Sequence, residues 1–101
     1  MFEELKQRAL KITEALYRTT DLFSDAEPLK WSLRQGGLDI LNSVSLLESV
    51  GYEKAREVSR LEILIKNVFL KLELAASGTF ISKMNFEVLR REYGALLDRV
   101  L

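Results

Sequence analysis

The side chains in this sequence that could do chemistry are serines, lysines, arginines and carboxylates. It contains no cysteine and no histidine. A thiolate nucleophile, a thiolate zinc site and a disulfide framework are thereby excluded. So are His-based triads, His metal ligands and the commonest general base. Ser43, Ser45 and Ser49 have no histidine to activate them, and no spacing pairs them with a lysine base. A di-iron carboxylate bundle needs inward glutamates and Glu-x-x-His pairs. The apolar seams drawn below carry no Asp or Glu. Neither G-x-x-x-x-G-K-[ST] nor G-x-G-x-x-G is present, and Gly36-Gly37 fits neither phosphate-loop pattern. The expectation is a protein that is not an enzyme, with no cofactor, metal or small-molecule substrate.

Binding chemistry is what remains. Fifteen Lys and Arg balance fifteen Asp and Glu, so the formal net charge is zero. A strongly basic nucleic-acid binder is disfavoured by that balance, and nucleic-acid contact then needs a local basic stripe. Lys11 and Arg18 are seven apart, with Arg8 one turn before Lys11, and Arg90 and Arg91 are adjacent. Acids are interleaved at Glu4, Glu14, Glu87 and Glu92. Such mixed charge reads either as a solvated face with i,i+4 pairs, Glu14–Arg18 and Glu87–Arg91 being the obvious ones, or as a functional patch. Assembly of several copies would strengthen the second reading, because weak patches repeated around a ring add their fields. No segment has the Lys/Arg-rich polar face that a lipid-surface helix requires.

The opening residues, MFEELKQR, hold two acids and no apolar h-region, so no signal peptide is expected. The longest apolar stretch, 61–76, is interrupted by Glu62, Lys66, Lys71 and Glu73, which rules it out as a membrane span. The expected location is the cytoplasm.

The elements that must position these side chains are helical. The chain has 101 residues, 48% of them hydrophobic and 30% charged, a composition that folds. Its length fits one domain over 1–101. Five glycines and one proline punctuate it. The first segment carries Phe2, Leu5, Ala9, Ile12, Leu16, Thr19 and Phe23 in alternating steps of three and four, a heptad seam. It stops at Ser24-Asp25-Ala26-Glu27-Pro28, where Ser24 or Asp25 is the expected cap of a second helix with Pro28 in its first turn. That helix carries Leu29, Leu33, Gly36, Ile40, Ser43, Leu47 and Val50, and its expected end is Gly51. The third carries Val58, Leu61, Ile65, Val68, Leu72 and Ala75 and ends near Ser77-Gly78. The fourth carries Phe86, Leu89, Tyr93, Leu96 and Val100, with Ser82 as its N-cap. Four helices of about twenty residues joined by short loops predict an all-α, antiparallel up-down-up-down four-helix bundle.

A bundle helix should be polar opposite its seam. The first obeys, with Gln7, Glu14 and Asp21 there. The second and third do not: Trp31 and Leu38, and Ile63 and Leu70, fall outward one heptad apart, and Leu64 and Phe69 widen the apolar sector of the third. Two readings stay open. Either these four residues form an oligomer or partner interface, or the register lies one position away and they pack at helix–helix boundaries. Gly36-Gly37, inside the second helix, carry a helix-propensity cost of about 1 kcal/mol each relative to Ala. Close approach of a neighbouring helix would offset it; a kink or a break is the alternative.

One resemblance adds to this reading. It rests on Ala15-Leu16-Tyr17-Arg18-Thr19-Thr20-Asp21-Leu22-Phe23, then Glu27 and Leu33-Arg34-Gln35-Gly36-Gly37-Leu38-Asp39-Ile40. These stretches resemble the small bacterial four-helix proteins encoded by intervening sequences in 23S ribosomal RNA genes. Leu33, Arg34 and Ile40 match that family's Leu-Arg-Arg-Ala-Ala-x-Ser-Ile run, and Gly36 and Gly37 stand where it has alanines. The family's Asn-Ile-Ala-Glu-Gly motif has no counterpart; the sequence there is Asn42-Ser43-Val44-Ser45-Leu46. The layout is also similar to the accessory proteins of diversity-generating retroelements. The resemblance implies a ring-like homopentamer, and it implies binding of RNA or DNA or of a reverse transcriptase. Lys11, Arg18, Arg34, Arg90 and Arg91 are the candidates for nucleic-acid contact. The alternative function is a protein-binding or scaffolding bundle that touches no nucleic acid.

Overall fold

A computed structural model describes residues 2–48 and 53–101. Four α-helices follow one another: α1 (Phe2–Thr20), α2 (Pro28–Leu46), α3 (Lys54–Ser77) and α4 (Lys83–Val100). Each packs on its chain neighbour, and α4 returns to close against α1. The result is the expected all-α four-helix bundle, 42 × 21 × 18 Å. No described helix is long and apolar enough to cross a membrane.

The helix ends follow from local chemistry. Glu3 and Glu4 in the first turn of α1, and Arg18 in its last, complement the helix dipole. Pro28 opens α2, as expected, but its cap is Glu27 rather than Ser24 or Asp25. The Glu27 carboxylate accepts from the Leu29 N–H at 2.8 Å. Ser24 is occupied one step earlier, accepting from the Ala26 N–H within the turn, and Asp25 is drawn to Lys30. α2 ends at Leu46, short of the expected end; Val50 and Gly51 lie outside the described residues. Ser82 caps α4, accepting from the Asn85 N–H at 3.0 Å. α3 ends in a Schellman arrangement: the Phe80 N–H donates to the Ala75 carbonyl and the Thr79 N–H to that of Ala76. The left-handed residue is Thr79, at φ 61°, and not Gly78. Gly78 is instead fixed by space, since a Cβ there would meet the Phe80 ring at 2.8 Å.

The core follows the seams. Leu61, Ile65, Val68, Leu72 and Ala75 of α3 are fully buried. Leu29, Leu33, Ile40 and Ser43 of α2 and Leu89, Tyr93 and Leu96 of α4 are buried as expected. In α1 the seam drifts by one position at its end, so that Thr20 is buried and Thr19 only partly so. The step from Leu16 is four residues rather than three, which brings the Thr20 hydroxyl back over the Leu16 carbonyl. The hydroxyls of Thr13 and Thr20 reach back to the Ala9 and Leu16 carbonyls, so both are buried without being unpaired.

α2 runs unbroken through Gly36-Gly37, both of them buried. A Cβ on Gly36 would stand 2.8 Å from Cγ2 of Val68, and one on Gly37 would stand 2.6 Å from Cδ2 of Leu16. Close approach, to α3 at one glycine and α1 at the next, is therefore what these residues serve. The same reasoning is weak for Gly94, where a Cβ would meet the Phe69 ring at an ordinary 4.0 Å.

Candidate protein-interaction surface

All four residues assigned to the outward apolar stripes face solvent. Trp31 is 50% exposed, Leu38 42%, Ile63 61% and Leu70 67%. The seam registers of α2 and α3 therefore hold, and these side chains are not absorbed at helix boundaries. Leu64 and Phe69, by contrast, pack against the core. Trp31 is fixed rather than loose: its indole N–H donates to the Asp25 carbonyl at 2.9 Å, and the Lys30 ammonium lies 5.1 Å from its ring centre.

A shallow groove between α1 and α2, about 440 Å³ in volume, takes in Leu38. Its floor is Leu10, Thr13, Tyr17, Leu38 and Leu41, and Glu14 and Arg18 edge it. Arg34 reaches Tyr17 from α2. Its guanidinium stacks on Tyr17, 4.5 Å from the ring centre. It donates from Nε to the Thr20 hydroxyl at 2.9 Å and from Nη2 to the Tyr17 carbonyl at 3.0 Å, and it pairs with Asp21 at 3.6 Å. The Tyr17 carbonyl already accepts from the Asp21 N–H at 2.9 Å, and Arg34 adds a second, charged donor. Arg34 thus clamps α2 to the end of α1.

The other basic candidates are dispersed. Arg18 pairs with Glu14 at 3.6 Å as the spacing implied. Arg91 pairs with its neighbour Glu92 at 3.7 Å, where sequence spacing pointed to Glu87. Arg90 lies over the Phe69 ring at 4.4 Å, on the α3 side of α4. Lys11 is exposed on α1. Arg8 faces Glu92 across the α1–α4 groove at 3.6 Å. Arg8 and Lys11 line the α1–α4 groove together with Glu92, and the acids at Glu14 and Glu92 are in ion pairs.

Three features escaped the sequence reading. Leu74 extends the α3 stripe by one turn and is exposed. Leu22, Phe80 and Met84 are exposed at the end of the bundle where the 21–27 and 78–82 connections meet, with the Phe80 ring 5.7 Å from that of Phe23. The third is charge. α2 holds three charged residues, Lys30, Arg34 and Asp39, against seven or eight in each other helix. Lys30 is buried, with Nζ 2.6 Å from the Asp25 carboxylate. Arg34 is the clamp. Asp39 accepts from the Gln35 amide of its own helix at 2.9 Å. The outer face of α2 is therefore almost free of charge. A charge count per helix would have shown it; a hydropathy pattern does not.

Lys30 holds the Asp25 carboxyl below the usual aspartate range, by hydrogen bond first and by charge second. Burial pushes the Tyr93 hydroxyl well above the ordinary tyrosine value. Among the described residues, no three acidic side chains converge where a metal ion could be held. No protein family matches the sequence, and no curated protein matches it either.

Proposed function

We propose that this bundle is a non-catalytic assembly module that works in the cytoplasm as a homo-oligomer. The observation that supports it is the exposure of Trp31, Leu38, Ile63 and Leu70 on two adjacent helices. Monomeric proteins seldom leave such patches uncovered, and tryptophan is a favoured anchor where protein meets protein. A bundle of 101 residues also has a modest core, and covering these side chains adds the apolar burial that a single copy lacks. The test is absolute mass by light scattering on a sizing column, at two concentrations, with Trp31→Glu beside the parent chain. Self-association should give a multiple of the chain mass, and Trp31→Glu should lower it. An unchanged mass in the variant would remove Trp31 from the interface.

The resemblance to ribosomal intervening-sequence and retroelement accessory proteins carries a second reading, in which the assembly binds RNA, DNA or a reverse transcriptase. Lys11, Arg18 and Arg91 are exposed, and several copies around one axis would sum their fields. Retention on heparin at low salt, measured before and after charge reversal at Arg90 and Arg91, separates the two. Binding through these arginines should fall steeply with salt and with reversal. Retention that ignores both leaves the protein-contact reading.

A further inference from the structure

We infer that α2 pairs with α2 of a second copy, antiparallel, about a two-fold axis through Leu38. The inference rests on the proposal that the chain self-associates, and it names the surface and the symmetry.

Charge selects the partner. A surface that desolvates a charge without pairing it is heavily penalised, and the centres of protein interfaces are depleted of charge. Lys30 is ion-paired with Asp25 and Arg34 with Asp21, so the outer face of α2 offers a charged partner only the Asp39 carboxylate, which the Gln35 amide holds. Its occupant must be comparably uncharged. Among the described helices, α2 carries the fewest charged residues, so its own face comes nearest to that. The α3 stripe is flanked by Arg60, Lys66 and Glu73, all exposed.

Shape agrees. Trp31, Leu38 and Ser45 lie one heptad apart on the outer face, and all three are exposed. An antiparallel pairing centred on Leu38 sets Leu38 against Leu38 of the partner subunit. The same pairing places Trp31, the largest side chain of the stripe, against Ser45 of the partner subunit, the smallest. Large against small at both ends is the interdigitation that facing helices need. Such a contact is isologous and closes at two copies, whereas a ring of five requires a head-to-tail contact.

Area agrees as well. The broad side of the molecule, 42 × 21 Å, bounds an interface at about 900 Å². A standard complex uses about 800 Å² per partner. The 21 × 18 Å end, with Leu22, Phe80 and Met84, offers about half of that.

The chain has no native cysteine, so one introduced thiol reports position cleanly. Leu38→Cys is compared with Leu70→Cys, which is equally outside the core, alongside the mass of the parent chain. Helices about 9–10 Å apart bring facing Cα atoms at the axis to about 4.4–5.4 Å, within the span of a disulfide. Unchanged far-UV helicity confirms that both variants fold. The expected result is a two-chain mass for the parent, disulfide dimers of Leu38→Cys at least tenfold faster than of Leu70→Cys, and blue-shifting emission from the single tryptophan as concentration rises. An assembled parent in which Leu38→Cys gains no such advantage overturns the two-fold pairing and leaves self-association standing. A mass of one chain at every concentration overturns both.

Discussion

Two side chains are held against their ordinary ionisation, and they make opposite predictions. Lys30 is buried, yet its partner Asp25 is exposed. The ammonium bonds the Asp25 carboxylate at 2.6 Å and the Phe23 carbonyl at 3.4 Å, and the Trp31 indole bonds the Asp25 carbonyl. The first turn of α2 thereby ties down the whole 21–27 connection. Because the folded carboxyl titrates below its unfolded value, its contribution to stability is complete above about pH 4 and is lost as pH falls through the folded value. Asp25→Asn should therefore be less stable than the parent at pH 6, and the gap should shrink at pH 3 in urea titrations. A gap that stays constant with pH would mean that the pair carries no linkage. Tyr93 is the reverse case. Its hydroxyl is buried with no hydrogen-bond partner among the described residues, 3.4 Å from where a Cβ on Gly37 would stand. Burial raises the pH at which it ionises, so folding holds the proton and stability falls as pH rises past about 10, where the unfolded tyrosine ionises. An unpaired buried hydroxyl costs roughly 1–3 kcal/mol. Tyr93→Phe should match or exceed the parent in stability, and its alkaline loss of stability should be smaller. A variant destabilised by more than about 1 kcal/mol would show that the hydroxyl is satisfied.

At the scale of elements, the glycines of α2 set how closely the bundle closes. Gly36→Ala gains about 1 kcal/mol in helix propensity but drives a methyl to 2.8 Å from Val68. Valine in a helix is stiff at χ1, so the methyl meets a neighbour that cannot swing away. Overpacking costs about 1–3 kcal/mol, and the net effect should be destabilising. Combining Gly36→Ala with Val68→Ala should cost less than the two single losses added together, a coupling that urea midpoints measure. Strict additivity would mean that the helices simply move apart. The helix seams were legible in the sequence because burial imposes a regular spacing on apolar residues: five α3 positions from Leu61 to Ala75 could be placed from spacing alone. Outward Trp31, Leu38, Ile63 and Leu70 were legible for the same reason, as violations of that spacing. The cap at Glu27 was not, because Ser24, Asp25 and Glu27 are all competent caps and the choice depends on where Lys30 and Ala26 lie. Arg34 was read as a free cation because its clamp joins residues 14 and 17 positions apart, a pairing with no local signature. The uncharged face of α2 needed knowledge of which charges were already engaged.

At the scale of the whole molecule, the surface is divided by charge. α1, α3 and α4 mix both signs, and α2 shows almost none. A net charge of zero gives the monomer little self-repulsion, so nothing electrostatic opposes the approach of a second copy. If the apolar faces are covered in the assembled protein, folding and assembly are one equilibrium. Stability then depends on protein concentration by mass action. For two chains, a tenfold rise in concentration adds about 1.4 kcal/mol per assembly, or about 0.7 kcal/mol per chain. A domain near 100 residues shifts its midpoint by about 4–8 °C per kcal/mol. The thermal midpoint should therefore climb by roughly 3–6 °C for each tenfold increase in concentration. In Trp31→Glu the climb should vanish while the helical signal at low temperature is unchanged, because Trp31 lies outside the core. A parent midpoint that is flat over a hundredfold range of concentration would detach the outward residues from stability altogether. A climb that persists in Trp31→Glu would move the interface from α2 to the Ile63, Leu70 and Leu74 stripe of α3.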